Sequence, residues 1–382
     1  MYSKPAVVSR YNPPGAGSGT SIPHSFRVKR LNMQALFLTL YPESAASSRY
    51  RVGQFVPFLS QFGIECSVAA ALSEVQYARY KRQGAWFGAL RYHVTELSRR
   101  VGQLVRARQY DVVVVQKALL SVYLKGMPAL LRRYARRIVY DIDDAVHLVS
   151  PNPVPLYWRW WEDKEQILKI FGMSDLVLAG NHWLKTEAER CGARAVLFPT
   201  VVDAERFVPA AYGSAEPYTV GWLGSPSTTP SLSVIGADLS LLENVRLVLM
   251  GADPSKVSWE KAEIVPWSLE SEVPFVQRLS VGLMPLERSD WSRGKCGLKA
   301  IQYMACGVPC VATPFGAALD IIRHGETGFF ADSAHEWIHA VERLRDPVLR
   351  RQMGEAARAD VEKRFSLKKA IPEMATWLNA VA

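Results

Sequence analysis

The chain has 382 residues, 49% hydrophobic and 21% charged, with a formal net charge of +10. That is ordinary globular composition at a length favouring two domains, and the positive charge suits a phosphate-bearing ligand or an anionic surface. No zinc-like cysteine spacing, RNA-binding signature or basic zipper is present, so nucleic acid is not expected as a partner.

Residues 1–32 hold no Asp or Glu and are rich in Pro, Gly and Ser, which predicts a disordered basic tail with Met33 as an alternative start. Arg27 to Arg30, then Met33 to Tyr41, then Ser44 to Ser48 follow the order of a signal peptide. A buried first strand accounts for the same residues. Five scattered cysteines, an odd number, point to reduced thiols and a cytoplasmic setting. No apolar run reaches the roughly 18 residues of a membrane span.

Beyond the tail, short apolar runs alternate with longer helical patterns, as in parallel sheets with crossover helices. Strands are expected at 36–40, 65–70, 112–116, 137–141, 176–179 and 195–198, with helical periodicity over 50–63 and 85–108. A second series is expected at 219–223, 246–250, 263–265, 282–284, 310–312 and 328–330. Pro, Gly, Ala and Ser cluster at 209–217 as a linker, and 334–382 reads as consecutive helices. The expected fold is α/β with two facing doubly wound, Rossmann-like domains, 33–212 and 213–365. A final helix, 366–382, is expected to pack back toward the first domain.

In such sheets ligands bind beyond the carboxyl ends of the strands. Ser47, Ser48, Arg49 and Arg51 follow the first strand, Gln116 and Lys117 the third, and Asp141, Asp143 and Asp144 the fourth. Asn181 follows the fifth, and Gly224, Ser225, Ser227 and Thr228 the seventh. Serines at a helix start suit a cap or a phosphate. The three carboxylates suit acceptor orientation, general-base work or magnesium. Gly224 lets a ligand approach the backbone. Each group also reads as an ordinary cap or turn. The aromatic run Pro155 to Trp161 suits a membrane interface, a sugar-stacking surface or plain packing. His147, just past the aspartates, reads as structural or site-lining.

Asp290 precedes the segment Arg293 to Thr313, which reads as loop, short helix, glycine turn and buried strand. With Lys295 as the first helical position, Lys295, Lys299 and Gln302 share one narrow sector at about 100° per residue. Two lysines beside the free N–H groups of a helix start, with Cys296, Gly297 and Leu298 around them, make a phosphate site. A solvated lysine face is the alternative.

From Gly297 to Thr313, from Pro314 to Asp320 with Gly325 to Gly328, and from Phe198 to Asp203 with Phe207, the chain resembles retaining glycosyltransferases of the GT-B fold, family 4. The resemblance implies transfer of a hexose-type sugar from a nucleotide-diphosphate donor to an acceptor hydroxyl, with retention. The donor would sit on the second domain and the acceptor on the first. Within that reaction, Lys295, Lys299 and the helix start are expected from their own chemistry to hold the diphosphate, Ser225 and Ser227 to assist, and Gln302 to fix the ribose. Arg49 would approach from the opposite domain on closure, and Asp143 or Asp144 would orient the acceptor. No metal or other cofactor is expected beyond the nucleotide sugar as co-substrate. A glycan or lipid-linked glycan is the expected acceptor, with peripheral membrane contact at the inner face as a further partner.

Three departures stand out. The family's usual Glu, seven residues, Glu falls here on Gly294 and Gln302, with Asp290 or Glu287 as substitutes for the first. The usual Arg and Lys after the donor domain's first strand are missing from Gly221 to Thr229, and Gln116-Lys117 replaces the usual histidine. A non-catalytic saccharide- or partner-binding protein, or a nucleotide-sugar epimerase of the same architecture, are the rival expectations.

Overall fold

The computed structural model describes residues 32–83, 89–151, 154–210, 217–237 and 239–382. The expected basic tail and most of the expected linker lie outside the described residues.

The first sheet runs β1 (Met33–Thr39), β2 (Ile64–Ala70), β3 (Val112–Gln116), β4 (Ile138–Ile142), β5 (Leu176–Ala179) and β6 (Ala195–Leu197), in the order β2-β1-β3-β4-β5-β6. The second runs β7 (Thr219–Leu223), β8 (Arg246–Met250), β9 (Glu263–Val265), β10 (Val281–Met284), β11 (Cys310–Ala312) and β12 (Gly328–Phe330), in the order β12-β11-β10-β7-β8-β9. Every pairing in both sheets is parallel. The fold is thus two parallel-sheet α/β domains of six strands each. Runs such as Val112 to Val115 are fully buried, as expected for strands covered on both faces.

Strand order reverses between β1 and β3 in the first sheet and between β7 and β10 in the second. Crevices open at such points. They bring out the Arg49 segment and Lys117 on one side, and the Gly224 turn and the lysine segment on the other.

The helix expected over 50–63 is broken. An α turn at Ala46–Ser48 widens into a π turn at Arg49–Gly53, restarts as Val56–Leu59 and ends as a 3-10 turn at Ser60–Phe62. Pro57 has no N–H to donate to the preceding turn, so the helix restarts there. Single π turns gather at functional sites. This one aims Arg49 and Tyr50 at the second domain.

The chain returns to the first domain at its end. Val202 N donates to Phe365 O at 3.0 Å, and Leu367 N donates to Val202 O at 2.8 Å. The helix Leu367–Val381 then lays Leu367, Met374 and Leu378 on the face of the first sheet that carries Met33, Ala35 and Phe37.

Candidate functional site

Gly297, at φ +64°, caps the helix Leu298–Ala305. A side chain there would also meet Ile321, whose methyl lies 2.3 Å from the Cβ position. The helix therefore begins later than the lysine spacing predicts. Lys295 lies in the preceding turn, and of the three only Lys299 and Gln302 are on the helix. Lys299 Nζ stands 4.2 Å from the centroid of the Trp222 ring. Burial, and then repulsion from Lys295, lowers the Lys299 pKa from its ordinary 10.5 to about 7. An amine held this way gains most from an incoming anion, which would restore its charge. Gly224 belongs to the same stack, because a Cβ there would fall 2.0 Å from the Trp222 ring. Beyond it, Ser225 N donates to Thr228 Oγ1 at 3.0 Å, and Ser225 Oγ lies 3.0 Å from Ser227 Oγ. These hydroxyls form a half-exposed turn beside the lysine helix.

Gln302 does not face this space. It is buried, and its Nε2 donates to Tyr50 Oη of the first domain at 2.9 Å. Tyr50 Oη donates to Glu272 Oε2 at 3.1 Å. Burial, and then Glu272, raises the Tyr50 pKa, so the phenol keeps its proton and donates. Glu272 is 3% exposed and also accepts from Trp267 Nε1 and Arg206 Nη2, each at 3.3 Å. Arg49 crosses to the second domain here, with Nη2 3.7 Å from Glu272 Oε1 and its guanidinium over the Tyr50 and Trp267 rings. Glu272, Arg206 and Trp267 were not among the expected site residues. The strand-end rule, applied to β9, would have reached Trp267 and Glu272.

A second contact joins the domains at the lysine segment. The Cβ position of Gly294 lies 2.5 Å from Ala145 Cβ. Cys296 Sγ packs where a Cβ of Gly180 would stand, and burial raises its pKa. Asn181 Nδ2 donates to Arg293 O at 2.9 Å and to Lys295 O at 3.1 Å, while its Oδ1 accepts from Leu184 N and caps the helix His182–Arg190. Asn181, expected to face an acceptor, is a tether between domains. Cys296, expected beside the donor, is core. Asp290 is exposed and pairs with Arg293 at 3.4 Å, a surface pair rather than a replacement for a carboxylate at 294.

The first-domain carboxylates divide. Asp141 is buried and takes the Arg51 guanidinium, with Nε at 3.0 Å, while Arg51 Nη1 donates to Phe198 O at 2.9 Å. Burial pushes the Asp141 carboxyl up against the pull of Arg51. Its expected acceptor role yields to a buried ion pair. Asp143 accepts from Gln116 Nε2 at 3.2 Å, and Asp144 lies 3.3 Å from Lys117 Nζ. Burial opposes the charge on Lys117, but Asp144 and Asp143 outweigh it and raise its pKa. Lys117 holds φ +68°, an uncommon conformation for a side chain-bearing residue, at a strand end. Ser48 is buried, with Oγ donating to Tyr41 O at 2.7 Å, and the helix it was expected to cap starts from Ala45 without a side-chain cap. Ser47 is half-buried. His147 is buried between Trp183 and Phe171, and burial lowers its pKa despite Glu187.

The class these features define is the GT-B glycosyltransferase fold, and residues 230–346 match the family profile of glycosyl transferases group 1. Among solved structures, the chain is similar to sucrose-phosphate synthase of Thermosynechococcus elongatus, with TM-score 0.68 and 15% identity over 91% of this chain and 98% of that one. It is also similar to Anabaena HepE solved with UDP and glucose, with TM-score 0.63 and 15% identity over 91% and 99%. At that identity the likeness is one of fold. Among curated proteins, N-acetyl-alpha-D-glucosaminyl L-malate synthase of Bacillus anthracis is 37% identical over 83 residues, 21% of this chain and 22% of that protein. D-inositol 3-phosphate glycosyltransferase of Pseudarthrobacter chlorophenolicus is 45% identical over 64 residues, 16% and 15% of the two chains. The matches thus span about a fifth of these relatives.

Proposed function

We propose that the chain is a retaining, family 4 glycosyltransferase that moves a sugar from a nucleoside-diphosphate donor to an acceptor hydroxyl on a glycan. The observation that carries this reading is Lys299. A lysine on the first turn of a helix, over an indole and beside a second lysine, gains charge stabilisation when a diphosphate arrives. With the helix N–H groups it would hold the diphosphate and stabilise the charge on the leaving group. Asp144, salt-bridged to Lys117, and Asp143 would orient the acceptor from the facing strand ends. Arg49, over Trp267 and near Glu272, would couple closure of the two domains to the donor side. No metal is assigned a role, because Arg51, Gln116 and Lys117 already take up Asp141, Asp143 and Asp144.

Thermal unfolding of the wild type and of Lys299→Ala with UDP, GDP and ADP tests the reading. Protection by one of them in the wild type, absent in the variant, is expected. Equal protection of both proteins by every nucleotide would overturn the role of Lys299. Slow hydrolysis of the matching nucleotide sugar without acceptor then separates transfer from a second reading, a non-catalytic saccharide-binding protein. That reading is favoured by one observation, the lack of room for any side chain at Gly294.

A further inference from the structure

The segment Leu156–Trp161 is a 3-10 turn that buries none of its side chains. Trp160 is 88% exposed, Leu156 79% and Trp161 64%. Single exposed apolar residues are ordinary, but adjacent bare indoles continuous with more apolar surface are not. That further surface comes from the helix Ala89–Arg106. His93 lies 5.3 Å from Trp158 between ring centroids, and Leu97 lines a hollow of about 260 Å³ with Trp158 and Trp161. Leu90 and Val94 share the helical face of His93 and Leu97, and both are exposed. The turn is anchored: Lys125 N donates to Trp161 O at 2.8 Å, and Lys125 Nζ donates to Trp160 O at 3.0 Å. The indoles therefore stand on a fixed rim.

Charge selects the occupant. Arg91, Arg159 and Lys164 are exposed on this rim, and no ion pair among the described residues takes them up. Of the neighbouring acids, only Glu165 stands exposed, and it leans toward Lys169. Asp163 is buried and lies 2.6 Å from Lys169 Nζ, Glu165 lies 3.9 Å from the same amine, and Glu162 is half-buried. Indoles rimmed by free cations match the interfacial zone of a bilayer that contains anionic lipid. A second copy of this chain, at a net charge of +10, would bring like charge to the same rim. The segment bearing the indoles follows β4, on the strand-end side that carries Asp143 and Asp144.

We propose that this rim docks on an anionic lipid bilayer and turns the strand ends of the first domain toward an acceptor held in that bilayer. The purpose of the docking rests on the transfer reading, but its test does not. Full-length protein is sedimented with phosphatidylcholine vesicles, with and without phosphatidylglycerol, at low and physiological salt. Binding to the anionic vesicles only, weakened by salt, is expected. The Trp160→Ser, Trp161→Ser double variant should lose about tenfold in partitioning while keeping its circular dichroism melting curve. Arg159→Gln with Lys164→Gln should flatten the salt dependence. No binding by the wild type, or equal binding by the tryptophan variant, would overturn the proposal. So would a dimer seen by light scattering that the tryptophan variant dissolves, since that assigns the rim to a second copy. Failure of donor hydrolysis with vesicle binding intact would remove the transfer reading and leave the docking in place.

Discussion

Gln302 of the second domain donates to the phenolic oxygen of Tyr50 of the first, at 2.9 Å. One hydroxyl thereby joins the two domains, because the same oxygen donates its proton to the buried Glu272. The side chain that the sequence assigns to a ribose is satisfied by protein instead.

Tyr50→Phe removes that hydroxyl and leaves a buried amide and a buried carboxylate each short of a partner. Loss of about 1–3 kcal/mol of stability is expected in urea denaturation. Gln302→Glu should destabilise more at pH 8 than at pH 5, since a second carboxylate would then compete with Glu272 for one phenolic proton. A pH-independent effect would mean that Tyr50 does not link the two groups.

Gly294→Ala places a methyl 2.5 Å from Ala145 Cβ, against backbone that has little room to shift. Overpacking of this kind costs roughly 1–3 kcal/mol. Because the strain falls between domains, it should appear as separation. Small-angle scattering should report a larger radius of gyration for the variant, with each domain still folded. An unchanged radius together with an unchanged melting point would refute the close docking at this position.

Lys299 links binding to pH. Its folded pKa of about 7 lies below the ordinary 10.5, so between these values the unfolded chain binds more protons than the folded one. Stability should rise with pH across that window. The penalty is fully present below about 7 and gone above 10.5. A bound diphosphate would raise the pKa again, so nucleotide binding at pH 8 should take up a proton and weaken as pH rises. Calorimetry in buffers of different ionisation enthalpy measures the uptake. Lys299→Met should abolish both effects.

The aspartates after β4 should separate by phenotype. Asp141→Asn leaves the Arg51 guanidinium buried without its counter-charge, which costs roughly 3–5 kcal/mol. Asp144 is less deeply buried and Lys117 keeps Asp143 nearby, so Asp144→Asn should lower the melting point less than Asp141→Asn while lowering turnover under the proposed function. Equal destabilisation by the two substitutions would contradict this division.

The central strands, such as Val112–Gln116, Leu176–Ala179 and Val281–Met284, were legible because each is a short run built mainly of Val, Leu, Ile or Met. Burial on both faces leaves such a run no other use. The strand-end rule reached Lys299, Lys117, Asp143, Asp144 and Arg49 for the same local reason. It missed the break in the first long helix, where Pro57 and a π turn decide where Arg49 and Tyr50 point.

By itself, then, the sequence determined two parallel α/β sheets and which polar residues lie at their carboxyl ends, since both follow from period, burial and turn chemistry within a few residues. Only the tertiary structure decided which of those residues are free for a ligand. Asp141, Asn181, Cys296 and Gln302 carry the same chemistry in the sequence as a site residue would. Each is taken by a partner far away in the chain: Arg51, the 293–295 backbone, Gly180 and Tyr50. Long-range pairing of this kind depends on how two domains meet, and local sequence pattern carries no record of that geometry.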